Sequence, residues 1–267
     1  MNRADRRRQI KGEEKRLARG LDARLPPGPQ IVALMRALDE KMAVSVRRRS
    51  VSPLMEFVYA NMSGGSRLIG DVQVACGLGC SHCCHSWVDA TAAEVLFAVK
   101  SMPPAQLLRA GAAVESLCEK TGGQNIDART AMVTPCPLLE DHACSAYNGR
   151  PIVCRCAVSA DATACGRSYL ALSGESIPVP SVWRMLGQGY AVALEAAILR
   201  AGLIPAAREW NDSLKVALGD PTAESRWLSG EDVFGAAQRA SETGTFGNPA
   251  WAAIYREAFG SPPPAAG

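Results

Sequence analysis

The chain has 267 residues, of which 48% are hydrophobic and 21% are charged, so it can bury a sizeable core. Ten cysteines are many for this length, but they are too sparse for a small, disulfide-stapled secreted domain. The net charge of +3 is uneven: residues 1–49 carry 14 Lys/Arg against 6 Asp/Glu, which gives +8 and leaves −5 for the remainder.

The N-terminal region predicts the compartment. It is rich in arginine, lacks the apolar stretch of a secretory signal, and contains Asp5, Glu13 and Glu14, which a mitochondrial transit peptide would avoid. No window approaches the roughly 18 apolar residues of a membrane span. We therefore expect a cytoplasmic protein whose thiols are kept reduced, and this favours metal ligation over disulfides.

Residues 1–60 are predicted to form a basic N-terminal helical arm. A polar helix is expected over 3–20 and a second helix over Ile31–Val46, where apolar residues recur at helical spacing. A basic arm of this kind can contact nucleic acid, an anionic surface or an acidic partner, or can simply be solvated. Because no aromatic residue precedes Phe57, the arm lacks a base-stacking platform, and we do not expect a nucleic-acid partner.

Residues 61–170 are predicted to form a cysteine-cluster domain. Ser63–Ser66 predicts a flexible loop, and Leu68–Ala75 allows a short strand. Thr91 is predicted to cap a helix, because Glu94 follows at the spacing of a capping box. A further helix is expected from about Ala105 to Lys120, ahead of a pair of glycines.

Residues 171–260 are predicted to form a helical C-terminal segment, and residues 261–267 a disordered tail. The expected helices cover Trp183–Ala201 and, more briefly, 206–217, 231–241 and 249–258. The predicted fold class is mainly α, with little strand and an irregular cysteine-rich metal-binding core packed by helices.

Nine of the ten cysteines fall into two groups. The first group holds Cys76, Cys80, Cys83 and Cys84, and the second holds Cys136, Cys144, Cys154, Cys156 and Cys165. Thiolates are soft donors, and zinc or iron–sulfur iron takes four of them in a tetrahedral arrangement. Cys118 stands apart on an apolar helical stripe, where an inert core residue is expected.

The adjacent pair Cys83 and Cys84 indicates more than one metal ion. Neighbouring side chains tend to diverge, so the sequence favours two centres, or one polynuclear centre that divides the pair. Buried spare cysteines, disulfides and a redox relay are the alternatives. The spacing of Cys76, Cys80 and Cys83 also occurs in radical S-adenosylmethionine enzymes, but His82 stands where those enzymes usually have a carbocyclic aromatic residue.

Several ordered blocks resemble the YkgJ-type cysteine-cluster proteins, which are described as zinc- or iron-chelating. The blocks are Cys76-Gly-Leu-Gly-Cys80-Ser-His-Cys83-Cys84, Cys136-Pro-Leu-Leu139, Cys144-Ser-Ala-Tyr-Asn-Gly-Arg-Pro-Ile-Val-Cys154-Arg155 and Ser159-Ala-Asp-Ala-Thr-Ala-Cys165. The resemblance covers roughly residues 68–170. It implies an iron–sulfur cluster or Zn²⁺ held by eight thiolates: Cys76, Cys80, Cys83, Cys84, Cys136, Cys144, Cys154 and Cys165. It leaves the role of Cys156 open.

Neighbouring polar residues complete the predicted site. Arg150 and Arg155 flank Cys154 and are expected to offset thiolate charge. The histidines and two carboxylates near the cysteines are further candidates for ligands or proton carriers: His82, His85, His142, Asp89 and Asp161.

Three functions remain open at this point. The first is a metal-binding protein with a structural, storage or delivery role. The second is an iron–sulfur-dependent modification enzyme, since flagellin lysine N-methylases have a similar cysteine cluster; its cleft would lie around Trp183, Arg184, Glu209 and Trp210. The third is a thiol redox sensor using Cys83 and Cys84 or Cys156. The expected partner is an unidentified protein or small molecule.

Overall fold

A computed structural model describes residues 28–68, 72–205, 207–238 and 245–264. Within them, 62% of the chain is helical and 4% is strand, which confirms the mainly α prediction. The helix predicted over 3–20 lies outside the described residues. In the described part of the predicted tail, residues 261–264 form neither helix nor strand.

The described residues contain eleven α-helices. Their bounds are α1 Gly28–Arg48, α2 Ser52–Leu68, α3 Ala92–Ser101, α4 Pro104–Thr121, α5 Ile126–Ala131, α6 Ile152–Cys156, α7 Ala162–Cys165, α8 Ser181–Arg200, α9 Trp210–Gly219, α10 Ala223–Leu228 and α11 Pro249–Phe259. Short 3-10 turns lie at His82–His85, Tyr147–Gly149 and Thr245–Gly247, and α7 continues into one π-helical turn at Gly166–Leu170.

The core forms around α8, which packs against α1, α2 and α6. Helix α1 buries Ile31, Met35, Leu38 and Met42, which recur every three or four residues and so lie on one face. On the other side of the core, α9 packs against α3 and α4. The described part of the predicted N-terminal arm therefore contacts the C-terminal helices directly.

Helix α3 begins as predicted. The side chain of Thr91 and the backbone of Glu94 form one half of a capping box, and the Glu94 carboxylate accepts from the Thr91 backbone N–H at 2.8 Å to form the other half. The helices predicted over Ile31–Val46, 105–120, 183–201 and 249–258 are also present, with bounds that differ by a few residues.

Two local predictions are wrong. Ser63–Ser66 belongs to α2 and does not form a loop. Each glycine costs a helix only about 1 kcal/mol, and the preceding turns are anchored by the buried Leu54, Met55 and Val58, so the helix continues. The described part of the predicted helix at 231–241 forms turns. Here the Arg208 guanidinium donates hydrogen bonds to the carbonyl oxygens of Gly235 and Ala237, which are then not free for helical hydrogen bonds.

Two short antiparallel strand pairs are present in the described residues. Strand β1 (Asp89–Ala90) pairs with β4 (Arg208–Glu209), and β2 (Leu139–Glu140) forms a hairpin with β3 (Ala143–Cys144). Residues 72–75, part of the stretch Leu68–Ala75 that allowed a short strand, form no strand. None of the described helices combines the length and apolarity that a membrane crossing requires.

Candidate functional site

The two cysteine groups meet at one cavity of about 560 Å³. Seven of the eight predicted ligands line it: Cys76, Cys80, Cys83, Cys84, Cys136, Cys144 and Cys154. The eighth, Cys165, is buried beside the cavity and is not part of its lining. Burial raises the pKa of the Cys165 thiol, and the neighbouring Cys76, Cys80 and Cys83 thiols add to the effect.

Backbone hydrogen bonds join the segments that carry these cysteines. The N–H of Cys136 donates to the carbonyl oxygen of Cys84 at 2.7 Å, and the N–H of Ala75 donates to that of Ser159 at 2.7 Å. The N–H of Ser159 in turn donates to the sulfur of Cys76 at 3.3 Å. Distant stretches of chain are therefore tied together next to the thiols.

The first cysteine loop turns sharply at Gly79, whose φ of 82° favours glycine. The Cys80 N–H closes the turn by donating to the carbonyl oxygen of Gly77 at 3.1 Å. A 3-10 turn then carries Cys83 and Cys84. Their side chains do not diverge as expected from the sequence: both line the cavity, and a hydrogen bond joins the two thiols.

The β2–β3 hairpin carries Cys144 at the end of its second strand. Its two-residue turn consists of Asp141 and His142, with φ values of 46° and 62°, as a type I′ turn requires. His142 lines the cavity, and its Nδ1 lies 3.2 Å from the hydroxyl of Ser81 in the first cysteine loop. The hairpin is thus linked to that loop by a side-chain contact.

Helix α6 carries Cys154, and a buried carboxylate fixes where this helix begins. Glu94 Oε1 accepts the N–H of Ile152, the first residue of α6, at 2.8 Å. Glu94 Oε2 accepts the N–H and the hydroxyl of Thr91, each at 2.8 Å. One carboxylate that is 5% exposed therefore joins the start of α3 to the start of the cysteine-bearing helix.

Burial raises the pKa of several of the cavity thiols. It raises the pKa of Cys136 to about 12, although N–H donors on Leu138 and Trp210 act in the opposite direction. It also raises the pKa of Cys154, where the nearby cysteines add to the effect. The hydrogen bond with Cys84, followed by burial, raises the pKa of Cys83.

Arg150 and Arg155 supply the positive charge that the sequence predicted. Both line the cavity, and the Arg150 charge lowers the pKa of Cys144 and Cys154 against the larger effect of burial. Arg155 is held by Tyr59, whose ring centroid lies 3.7 Å from the guanidinium carbon, and its Nε donates to the Arg150 carbonyl at 2.9 Å. The Arg155 guanidinium is therefore fixed by local contacts.

The remaining candidates divide between structural and cavity positions. His82 and His85 do not line the cavity; His82 packs on Gly166, and His85 Nδ1 lies 3.2 Å from the Ser81 carbonyl oxygen. Asp161 caps α7 by accepting two backbone N–H groups. Asp89 accepts the indole N–H of Trp87 at 2.8 Å.

Cys156 and Cys118 face the hydrophobic core. Cys156 lies against Gly187 of α8, where a Cβ atom would approach the Cys156 sulfur to 3.0 Å. Burial raises the pKa of Cys156 to about 11 and that of Cys118 to about 11. Cys156, whose role the sequence left open, is a packing residue.

The thiols surround a space and do not converge on a point. Among the described residues, no group of three or more histidine, cysteine, aspartate or glutamate side chains is arranged to hold a metal ion. Sulfurs bound to one tetrahedral zinc ion at about 2.3 Å lie within roughly 4 Å of one another. The arrangement is more open than a preformed site for a single ion.

No family model, curated protein or solved structure matches this chain. The YkgJ-type resemblance therefore stays a prediction, and the geometry of the cavity carries the functional argument.

A second part of the cavity lining, the polar wall, is polar and aromatic. Arg129, Glu209, Trp210 and Asn211 line it, together with Trp87. Burial raises the pKa of Glu209 to about 7, while hydrogen bonds and the charge of Arg129 act against burial. Glu209 and Trp210 were among the predicted cleft residues; Trp183 and Arg184 do not line the cavity. Arg129 and Asn211 carry no motif, so sequence analysis missed them.

Proposed function

We propose that this chain binds a polynuclear metal centre, an iron–sulfur cluster or a zinc centre, through the thiolates of the cavity. One observation carries the proposal: seven cysteines from two distant segments line a single cavity of about 560 Å³. Soft metals bind clustered thiolates more readily than any other side-chain set. The first cysteine group and the second would then hold the same centre or two adjacent ones.

The donors around the sulfurs fit such a centre. The backbone N–H groups of Ser159 and Ala146 donate to the sulfurs of Cys76 and Cys144, and Cys136 accepts from Leu138 and Trp210. Hydrogen bonds of this kind stabilise metal-bound thiolates and tune the potential of iron–sulfur clusters. Arg150 and Arg155 offset the net negative charge of four thiolates around the metal.

The size of the cavity favours a cluster over a single ion. One zinc ion would require four sulfurs drawn onto a point, whereas a cluster spreads its ligands over a larger core. When bound, the centre supplies Lewis acidity or electron transfer. The chain's own residues orient the sulfurs, through the β2–β3 hairpin and α6, and balance their charge.

Anaerobic purification, metal analysis and an absorption spectrum test the proposal. A brown protein with a broad band near ~400 nm and acid-labile sulfide is the expected result for a cluster. A colourless protein that contains zinc would identify the alternative metal. Protein free of iron, zinc and copper, yet folded, would contradict the proposal.

Matched cysteine variants show whether the cavity is the site. Cys80→Ser removes a cavity thiol and is expected to lose metal and to melt at a lower temperature, because metal binding supplies folding free energy on the order of 10 kcal/mol. Cys118→Ala removes a core thiol and is expected to keep its metal. Equal metal content in Cys80→Ser and the unaltered chain would rule out this assignment.

The open cavity favours the enzyme alternative as a second candidate. Structural metal sites are closed by protein ligands, whereas catalytic ones keep an accessible position. Here the polar wall formed by Arg129, Glu209 and Asn211 faces the same space as the thiols. Addition of cyanide to the reduced cluster is expected to change its electron paramagnetic resonance spectrum; an unchanged spectrum would favour a closed structural centre.

In its Cys156 form, the third alternative, a thiol sensor, finds no support in this geometry. Sensor thiols are accessible and have a lowered pKa. Cys156 is 9% exposed, and burial raises its pKa to about 11.

A further inference from the structure

The polar wall contains a buried cation that forms no ion pair with a described residue. Arg129 is only 3% exposed, and its Nε has no acceptor among the described residues. Its Nη1 donates to the hydroxyl of Thr134. Within the described part of the chain, no ion pair joins Arg129 to a carboxylate. An uncompensated buried charge is costly, so this position favours an anion from the cavity.

Asn211 provides a second unmatched group on the same wall. The residue is 4% exposed, and its Nδ2 donates to Glu209 Oε1 at 2.8 Å. That bond fixes the orientation of the amide and leaves Oδ1 buried without a donor. Arg129 and Asn211 therefore line one cavity, and among the described residues the Arg129 Nε has no acceptor and the Asn211 Oδ1 has no donor.

Glu209 does not supply the missing anion. Its carboxylate already accepts from the N–H of Asp212 at 2.7 Å and from Asn211 Nδ2. It makes no ion pair with Arg129, and at its raised pKa of about 7 it is only partly ionised at neutral pH. The charge of Arg129 is thus incompletely balanced within the wall.

We propose that Arg129 and Asn211 bind a small carboxylate that bears a neighbouring hydroxyl or amine. Guanidinium groups bind carboxylates through paired, charge-assisted hydrogen bonds, and the Asn211 Oδ1 accepts the hydroxyl or amine hydrogen. Trp87, Trp210 and Leu138 line the adjacent surface and accommodate an apolar remainder. This site does not depend on the presence of a metal centre.

A set of three ligands tests the proposal on the unaltered full-length chain by titration calorimetry. 3-Phenyllactate has both groups, 3-phenylpropionate lacks the hydroxyl, and 3-phenyllactamide lacks the charge. Phenyllactate is expected to bind at least about tenfold more tightly than either analogue, since each loses one buried hydrogen-bonding partner. Equal affinity of the three ligands, or no binding, would overturn the proposal.

Two variants test which residue binds the hydroxyl and which binds the carboxylate. Asn211→Ala is expected to abolish the preference for phenyllactate over phenylpropionate while retaining the preference over phenyllactamide. Arg129→Gln is expected to abolish the preference over phenyllactamide. The exposed Arg109→Gln is the control and is expected to behave as the unaltered chain. A hydroxyl preference that survives Asn211→Ala would refute the assignment.

Inorganic phosphate separates a carboxylate site from a general anion site. Phosphate that displaces phenyllactate at a lower concentration than acetate does would overturn the carboxylate assignment. Protein that is free of iron, zinc and copper after anaerobic purification, yet binds phenyllactate with the expected preferences, would refute the proposed metal-binding function and leave this site intact. The two proposals therefore fail independently.

Discussion

The indole N–H of Trp210 donates a hydrogen bond to the sulfur of Cys136. Trp210 is the first residue of α9 and lies on the polar wall, whereas Cys136 belongs to the second cysteine group. This bond ties the two walls of the cavity together. The backbone N–H of Trp210 also donates to the Val88 carbonyl oxygen at 2.9 Å, so the backbone that carries the indole is held in place.

Replacing this indole tests whether it supports a metal-bound thiolate. Trp210→Phe keeps an aromatic ring and removes the N–H, and it is expected to weaken metal binding about tenfold, because hydrogen bonds to ligand atoms commonly contribute that much. Competition with a chelator measures the change. Trp227→Phe is the control, since Trp227 is buried away from the cavity and its Nε1 has no partner. Equal chelator sensitivity of the two variants would contradict the role of Trp210.

Glu94 is expected to be the main positioning residue for Cys154. Glu94→Ala leaves the N–H groups of Ile152 and Thr91 without acceptors, so we expect a loss of about 2–4 kcal/mol in unfolding free energy. Thr91→Ala removes the capping hydroxyl, together with its hydrogen bond to Glu94, but keeps the Glu94–Ile152 contact, and should cost about 1 kcal/mol. Urea unfolding measures both variants. Losses of similar size would show that the Glu94–Ile152 contact contributes little.

Part of this site could be predicted from the sequence and part could not. The capping box at Thr91 is a local pattern, and the cysteine groups were visible from their spacing. The contact of Glu94 with Ile152 depends on tertiary packing of α3 against the chain before α6, which no local pattern encodes. Arg129 and Asn211 were missed for the same reason, because they become neighbours only when α5 and α9 line one cavity.

The predicted divergence of Cys83 and Cys84 failed for a different physical reason. The expectation concerns the directions of the two Cα–Cβ bonds, whereas the position of each sulfur also depends on the rotamer of its side chain. In this turn the two thiols come close enough to share a hydrogen bond.

The packing role of Cys156 leads to a prediction about α8. Gly187→Ala places a Cβ 2.8 Å from the Cys156 Cβ and is expected to destabilise the fold by about 1–3 kcal/mol. Gly111→Ala is the matched control, because Gly111 is also helical and a Cβ there meets nothing within 4 Å. That variant is expected to gain about 0.5–1 kcal/mol. Thermal unfolding of the two variants should give shifts in melting temperature of opposite sign. A higher melting temperature for Gly187→Ala would be inconsistent with close packing.

Glu195 on α8 gives a prediction for the dependence of stability on pH. Burial raises its pKa from 4.5 to about 7, against a hydrogen bond from Thr245. Between these values the folded state binds more protons than the unfolded state, so stability decreases as pH rises. Relative to Glu195→Gln, the unaltered chain is expected to lose up to about 3 kcal/mol between pH 4.5 and 7. Parallel pH profiles for the two proteins would exclude a raised pKa at this position.

The most direct measurement is X-ray absorption at the metal edge of anaerobically purified protein, with one cysteine replaced in each group. The Cys84→Ser and Cys136→Ser variants are each expected to change the sulfur coordination of the same metal centre or to abolish metal binding. The reason is that a backbone hydrogen bond joins the two residues and both line one cavity. Cys118→Ala is expected to leave the spectrum unchanged. An identical metal environment in all three variants, or a folded chain without metal, would contradict the account.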